Sequence, residues 1–144
     1  MSQIDEQQET AISAELDAMA CELFGEGLDR LANGIPVNIL LAVQYVNMPS
    51  EAFEFAEDGE EECLAAAYEQ IERLKNSCEV QSFALVYDGA IECDNGDYAD
   101  ALLMEFGEKN TPTYSAYALY LHAGEPDVFA WTEPAAAGES ESLL

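Results

Sequence analysis

The spacing of apolar residues changes repeatedly along this chain, and these changes constrain the fold more than any other feature. Apolar residues recur at helical spacing before residue 33, alternate over 36–47, and return to helical spacing over 64–78. Alternating stretches separated by turn residues then continue from residue 81. Because a period of 3.6 is typical of helices and a period of 2 of strands, the chain is predicted to form helix, strand, helix and then several strands.

The first helix is predicted to begin after Thr10, whose hydroxyl is a suitable N-cap. Its apolar stripe is predicted to contain Ile12, Leu16, Met19 and Leu23. Asn33 and Gly34 are expected to end it, since both residue types tolerate the left-handed conformation that closes helices.

The alternating stretch 36–47 predicts one strand, and "MPSEAF" after it is predicted to break that strand. A second helix is expected after Asp58 as N-cap, with Glu60, Glu61 and Glu62 in the first turn, where the helix dipole favours negative charge. Its apolar stripe is predicted to contain Leu64, Ala67, Tyr68, Ile71, Leu74 and Cys78.

Turn residues divide the rest of the chain into short strands. Asp88 and Gly89 are predicted to form a hairpin turn, and 94–97 and 123–126 two further turns. The predicted fold class is α+β: one domain over 10–132 with two helices packed on an antiparallel β-meander sheet. Residues 1–9 are predicted to be a polar lead, and 133–144 a mobile tail without periodicity.

The net charge excludes several classes of partner. Thirty acidic residues face four basic ones, which gives a formal charge of −26 over 144 residues. Such a surface repels nucleic acid and anionic lipid and attracts cations and basic proteins. We therefore expect no direct binding to nucleic acid or to membranes, and we expect a basic protein as partner.

Compartment and cofactors follow from the cysteines and the N-terminus. The first ten residues are polar and acidic rather than a leader for export, which predicts a cytoplasmic protein with reduced thiols. The four cysteines contain no C-x-x-C pair and there is one histidine, so no metal and no cofactor are expected.

Candidate catalytic groups do not form a recognisable set. His122 has no nucleophile in a known motif, and "DNGDYAD" (94–100) lacks the ligand spacing of a calcium loop. Asp100 and Glu105 are five residues apart and are predicted to point to opposite faces of a strand. The chain is therefore predicted not to be an enzyme and to have no catalytic residues.

The densest acidic stretch is the candidate binding site. The predicted function is non-catalytic binding of a basic protein such as a nuclease, in the manner of immunity proteins or nucleic-acid mimics that inhibit by filling a basic cleft. The residues predicted to contact the partner are Glu54, Glu57, Asp58, Glu60, Glu61 and Glu62.

Two alternatives stay open. An acidic proteome in a salt-adapted organism predicts acids spread evenly over the surface rather than in one ridge. An acidic chaperone or scaffold, which could be a homodimer through the sheet, predicts an exposed apolar groove. An aromatic surface for such a role is predicted from Tyr114, Tyr117, Tyr120 and Trp131.

Overall fold

The computed structural model describes residues 13–56, 60–75, 79–109 and 111–140, and the statements below concern these residues. Two helices are present, α1 (Ala14–Ala32) and α2 (Glu60–Lys75). The strands are β1 (Ile39–Tyr45), β2 (Glu51–Phe55), β3 (Val80–Glu92), β4 (Tyr98–Glu108), β5 (Thr113–Leu121), β6 (Ala130–Trp131) and β7 (Ala135–Ser140). The predicted α+β class is confirmed.

All the strands belong to one antiparallel sheet. Its order is β2-β1-β3-β4-β5-β6, and β7 also pairs with β5. Leu41 of β1 lies opposite Phe53 of β2 on one side and Leu85 of β3 on the other. The first strand is therefore internal, and it joins the hairpin β1–β2 to the meander formed by β3, β4 and β5.

The two helices cover opposite faces of this sheet. Buried residues of α1 pack with Leu40 and Val86, whereas those of α2 pack with Ile39 and Leu41. Neighbouring residues of β1 thus belong to different cores, because side chains alternate along a strand. We refer to the two sides as the α1 face and the α2 face of the sheet.

Helix α1 begins later than the sequence predicts. Its N-cap is Ser13, whose Oγ accepts a hydrogen bond from the Leu16 amide at 3.1 Å. The prediction of Thr10 as the cap is therefore wrong, and Thr10 itself lies outside the described residues. Asn33 and Gly34 do end the helix, and Gly34 has the left-handed φ of 71° that favours glycine.

Helix α2 begins at Glu60, and it buries Cys63, Ala67 and Ile71 against the sheet. The predicted stripe contained Ala67 and Ile71 but missed Cys63, while Leu64, Tyr68 and Leu74 are partly buried. Asp58 and Cys78 lie outside the described residues.

The predicted break after the first strand is confirmed, because β1 ends at Tyr45, but the sequence analysis did not predict that Glu51–Phe55 forms a further strand, β2. The backbone of this segment pairs with β1, and Phe53 and Phe55 pack against the core beneath α2. Backbone pairing and alternate aromatic burial together outweigh the turn-forming residues that precede the strand.

The predicted hairpin turn at Asp88 and Gly89 is also wrong, since both residues lie inside the continuous strand β3. Tyr120 Oη donates to Asp88 Oδ1 at 2.7 Å, which satisfies the carboxylate within the sheet. A Cβ on Gly89 would stand 2.5 Å from Leu103 Cδ1, so a larger residue here would displace the Leu103 side chain. The chain turns at the next predicted site, 94–97, where the Cys93 amide donates to the Asp97 carbonyl at 2.7 Å.

The last part of the chain is more regular than the sequence predicts. No regular structure was expected after residue 132, and this is wrong for Ala135–Ser140, which forms β7 along β5. Just before it, β6 consists of only the two residues Ala130 and Trp131. Pairing with an open strand edge needs backbone groups rather than an apolar period, so periodicity could not reveal β7.

Candidate binding surfaces

Acidic side chains cover the outward sides of both helices. On α1, Glu15, Glu22, Glu26 and Asp29 are exposed, and on α2, Glu61, Glu62, Glu69 and Glu72 are exposed. Their spacings place each group opposite the buried stripe of its helix. Because the helices lie on opposite faces of the sheet, the carboxylates form two separate surfaces rather than one ridge.

Glu54 is the member of the predicted binding set with the most contacts. It lies in β2 on the α1 face, where its carboxylate accepts from Arg30 Nη2 at 3.0 Å and from Asn38 Nδ2 at 2.6 Å. The Arg30 hydrogen bond, helped by Asn38, lowers the pKa of Glu54. Arg30 also pairs with Glu26 at 2.8 Å. The charge of Glu54 is thus compensated within the protein.

The fold therefore brings together only some of the residues predicted to contact a partner. Glu61 and Glu62 are exposed in the first turn of α2, on the side of the sheet away from Glu54. Glu60 is the first residue of that helix, and its side chain lies outside what the structure describes, as do Glu57 and Asp58. Glu54 is also exposed but is compensated by Arg30, which leaves Glu61 and Glu62 as the described members of the set proposed to contact a partner.

The predicted aromatic surface is divided between the two faces. Tyr114 and Tyr120 lie on the α1 face, whereas Tyr117 points to the α2 face, as their alternation along β5 predicts. Tyr120 is buried, and Trp131 opposite it on β6 is 54% exposed. These residues do not form one aromatic surface.

The Asp88–Tyr120 pair sits on the α1 face near Asp100. Burial raises the pKa of Asp88, the hydrogen bond from Tyr120 opposes this, and the charge of Asp100 adds to the increase. Burial and the Asp88 carboxylate also raise the pKa of the Tyr120 phenol. The hydrogen bond of this pair links β3 to β5, two strands that are not consecutive in the chain.

A second tyrosine–carboxylate cluster lies at the margin of α2. Glu105 Oε2 accepts from Tyr68 Oη at 2.5 Å and from Tyr87 Oη at 3.0 Å. Burial, followed by the interaction with Glu105, raises the pKa of Tyr68. Sequence reasoning missed this cluster because its members come from a helix and two strands. It did predict that Asp100 and Glu105 face opposite sides of β4, and their partners Ala90 and Leu85 lie on the α1 and α2 faces respectively.

A groove opens where β4 and β5 separate at one corner of the sheet. It has a volume of about 520 Å³ and is bounded on one side by Tyr98 and Asp100. The other wall is formed by Leu119, Leu121, Trp131 and Thr132. We call it the corner groove. Sequence reasoning identified Trp131 but not Tyr98 or Leu121, because exposure of a strand residue depends on which strands pair.

Other groups of chemical interest are weaker candidates. His122 is exposed, with Nδ1 3.6 Å from Glu125 Oε2. The described ranges contain no group of three or more His, Cys, Asp or Glu side chains that could hold a metal ion. Neither of the two described helices is both long enough and apolar enough to span a bilayer.

No protein-family model, no curated protein and no solved structure matches this chain.

Proposed function

We propose that this protein acts in the cytoplasm as a non-catalytic binding protein for a basic partner protein, such as a nuclease that it inhibits. The observation that supports the proposal is the excess of exposed carboxylates on the outward sides of α1 and α2. A surface of this kind speeds encounter with a cationic protein and holds it through close charge pairs. Glu61 and Glu62 are the proposed contacts on α2.

The test starts with the tagged full-length protein as bait at low salt. A captured basic protein is identified and purified, and its Kd for the intact chain is measured by calorimetry. The variant Glu61→Gln/Glu62→Gln is expected to bind several times more weakly, and less so as salt screens the charges. The variant Glu15→Gln/Glu22→Gln removes the same number of charges from α1 and is the matched control. Absence of any basic partner would contradict the proposal.

The spread of carboxylates over both helices also favours a second candidate. Acids on two opposite surfaces are what a salt-adapted organism would place on an ordinary domain, where they maintain solubility rather than bind a partner. This candidate predicts that stability depends steeply on salt, because like charges repel one another at low ionic strength. Unfolding measured as a function of salt therefore separates it from the binding function.

A further inference from the structure

We propose that the corner groove is the docking site for an extended segment of the basic partner, in which apolar side chains alternate with Lys or Arg. This inference rests on the proposed function, and it adds a second contact surface to the one proposed at Glu61 and Glu62. Extended segments bind such grooves by placing alternate side chains into apolar and polar contacts.

Three large side chains that line the groove are exposed. Tyr98, Leu121 and Trp131 are 70%, 66% and 54% exposed, although all three belong to strands. The paired register of β4 and β5 ends at Ala101 and Leu119, so the strands part just beyond these residues. Large apolar side chains gathered around one opening mark an interaction site more often than scattered ones do.

Hydrogen bonds and ring stacking within the protein fix the β6 side of the groove. The Thr132 amide donates to the Leu119 carbonyl at 2.9 Å, and the Leu119 amide donates to Thr132 Oγ1 at 2.9 Å. The Trp131 ring stacks on the Phe129 ring, with centroids 5.9 Å apart. The centroids of the Phe129 and Tyr120 rings are 6.0 Å apart. A positioned, exposed aromatic ring loses little freedom when a ligand covers it, which favours binding.

Charge around the groove selects the occupant. Asp100 lines it, Asp97 immediately precedes Tyr98, and Glu133 immediately follows Thr132. The sequence contains no Lys or Arg over 76–108 or 110–144. A segment with Lys or Arg beside its apolar residues would therefore find carboxylates at the groove and no competing cations.

The same charges argue against a second copy of this chain as the occupant. Two copies meeting at this groove would bring their Asp100 carboxylates together, and each chain has a net charge of −26. Like charges across an interface disfavour association. We therefore assign the groove to a basic partner rather than to a homodimer.

Trp131 is the single tryptophan of the chain, so its fluorescence reports directly on the groove. The full-length protein is titrated with three synthetic peptides of equal length, in which Lys alternates with Leu, Lys with Ser, or Glu with Leu. The Lys–Leu peptide is expected to shift Trp131 emission to shorter wavelength and to protect the ring from acrylamide. The Lys–Ser peptide should leave the emission unchanged, and the Glu–Leu peptide should not bind.

Matched variants locate the contact. Leu121→Ser removes an exposed apolar side chain of the groove and is expected to weaken Lys–Leu binding about tenfold. Met48→Ser changes a side chain that is 45% exposed between β1 and β2 and should leave the affinity unchanged. Asp100→Asn is expected to weaken binding severalfold and to reduce its dependence on salt.

Several outcomes would overturn the inference. Equal binding of the two Lys peptides without a change in Trp131 emission would exclude the groove as the docking site. It would still agree with a basic partner that binds elsewhere. Failure of both Lys peptides to bind would contradict the proposed function as well. An emission shift that grows with the concentration of the protein alone, and that Leu121→Ser abolishes, would assign the groove to a second copy.

Discussion

The two faces of the sheet are covered to different extents. On the α1 face the core extends from β1 across β3 and β4 to β5, where it includes Ala118 and Tyr120. On the α2 face the core is confined to β1, β2 and β3, and beyond it the side chains of Leu103, Tyr117 and Leu119 are half-buried. One helix therefore covers most of its face, and the other covers about half.

This difference shows how the chain adapts to incomplete cover. At the margin of the core beneath α2, Glu105 accepts hydrogen bonds from two tyrosine hydroxyls. This margin is therefore polar and hydrogen-bonded rather than apolar. Where α1 crosses the sheet, Gly27 allows helix and strands to approach closely, with Leu102 Cδ2 2.9 Å from the position of an added Cβ. The account predicts that the α1 side contributes more to stability.

The largest expected effect is the loss of a buried ring beneath α1. Phe24 is 5% exposed in the α1 core, so Phe24→Ala should lower the free energy of unfolding by about 4 kcal/mol. Leu64 is only partly buried on α2, and Leu64→Ala should cost about 1–2 kcal/mol. Urea unfolding of both variants checks the order. Equal losses would show that the two faces contribute alike.

A smaller effect is expected from the glycines of α1, which offer a matched pair. Gly27→Ala adds a methyl group against Leu102 and Val86, and we expect it to destabilise by about 1–2 kcal/mol. Nothing lies within 4 Å of a Cβ at Gly25, so Gly25→Ala should stabilise by about 0.5–1 kcal/mol through helix propensity. Thermal or urea unfolding gives both values. Stabilisation by Gly27→Ala would mean that α1 can move away from the sheet at little cost.

The ion pair on the α1 face is also expected to contribute more to stability than the ion pair on α2. The Arg30 side chain is 20% exposed and joins α1 to Glu54 of β2, so Arg30→Ala should cost about 1–2 kcal/mol. The side chains of Arg73 and Glu69 are 64% and 72% exposed, and Arg73→Ala should cost less than about 0.5 kcal/mol. Chemical denaturation at low and high salt measures both. A larger loss for Arg73→Ala would contradict the role of Arg30 as a link between helix and sheet edge.

The smallest effect is a pH dependence from Asp88. Because burial raises the pKa of Asp88 in the folded state, folding favours the protonated carboxyl. Its contribution is complete below the unfolded pKa and is lost as pH rises through the folded pKa. Wild type should therefore lose stability relative to Asp88→Asn as pH increases over the mildly acidic range. An identical pH profile for the two proteins would contradict this expectation.

The sequence predicted those parts of the fold that depend on local pattern. The alternation of β1, the apolar stripe of α2 and the end of α1 at Asn33 are all local signals, and the structure has each of them. Asp88 and Gly89 misled the prediction, because both pair with β4 and Asp88 also accepts a hydrogen bond from Tyr120. Local turn propensity cannot reveal partners so distant in sequence.

The candidate sites were predicted less well for a related reason. Acid density located Glu54, Glu61 and Glu62, but the pairing of Glu54 with Arg30 and its separation from α2 depend on the sheet. The corner groove arises where two paired strands part, and composition has no signal for that point. Residue types can thus suggest the chemistry of a surface, whereas strand pairing decides its shape.

The most direct test of a binding function for the acidic surface is the urea midpoint of unfolding measured from millimolar to molar KCl. A hydrophobic core lies on each face of the sheet, and Leu41, Phe83 and Leu85 are almost fully buried. We therefore predict that the protein is folded in millimolar KCl and that added salt raises the midpoint only modestly. A chain that folds only in molar KCl would contradict this account, and the carboxylates would then be an adaptation to salt.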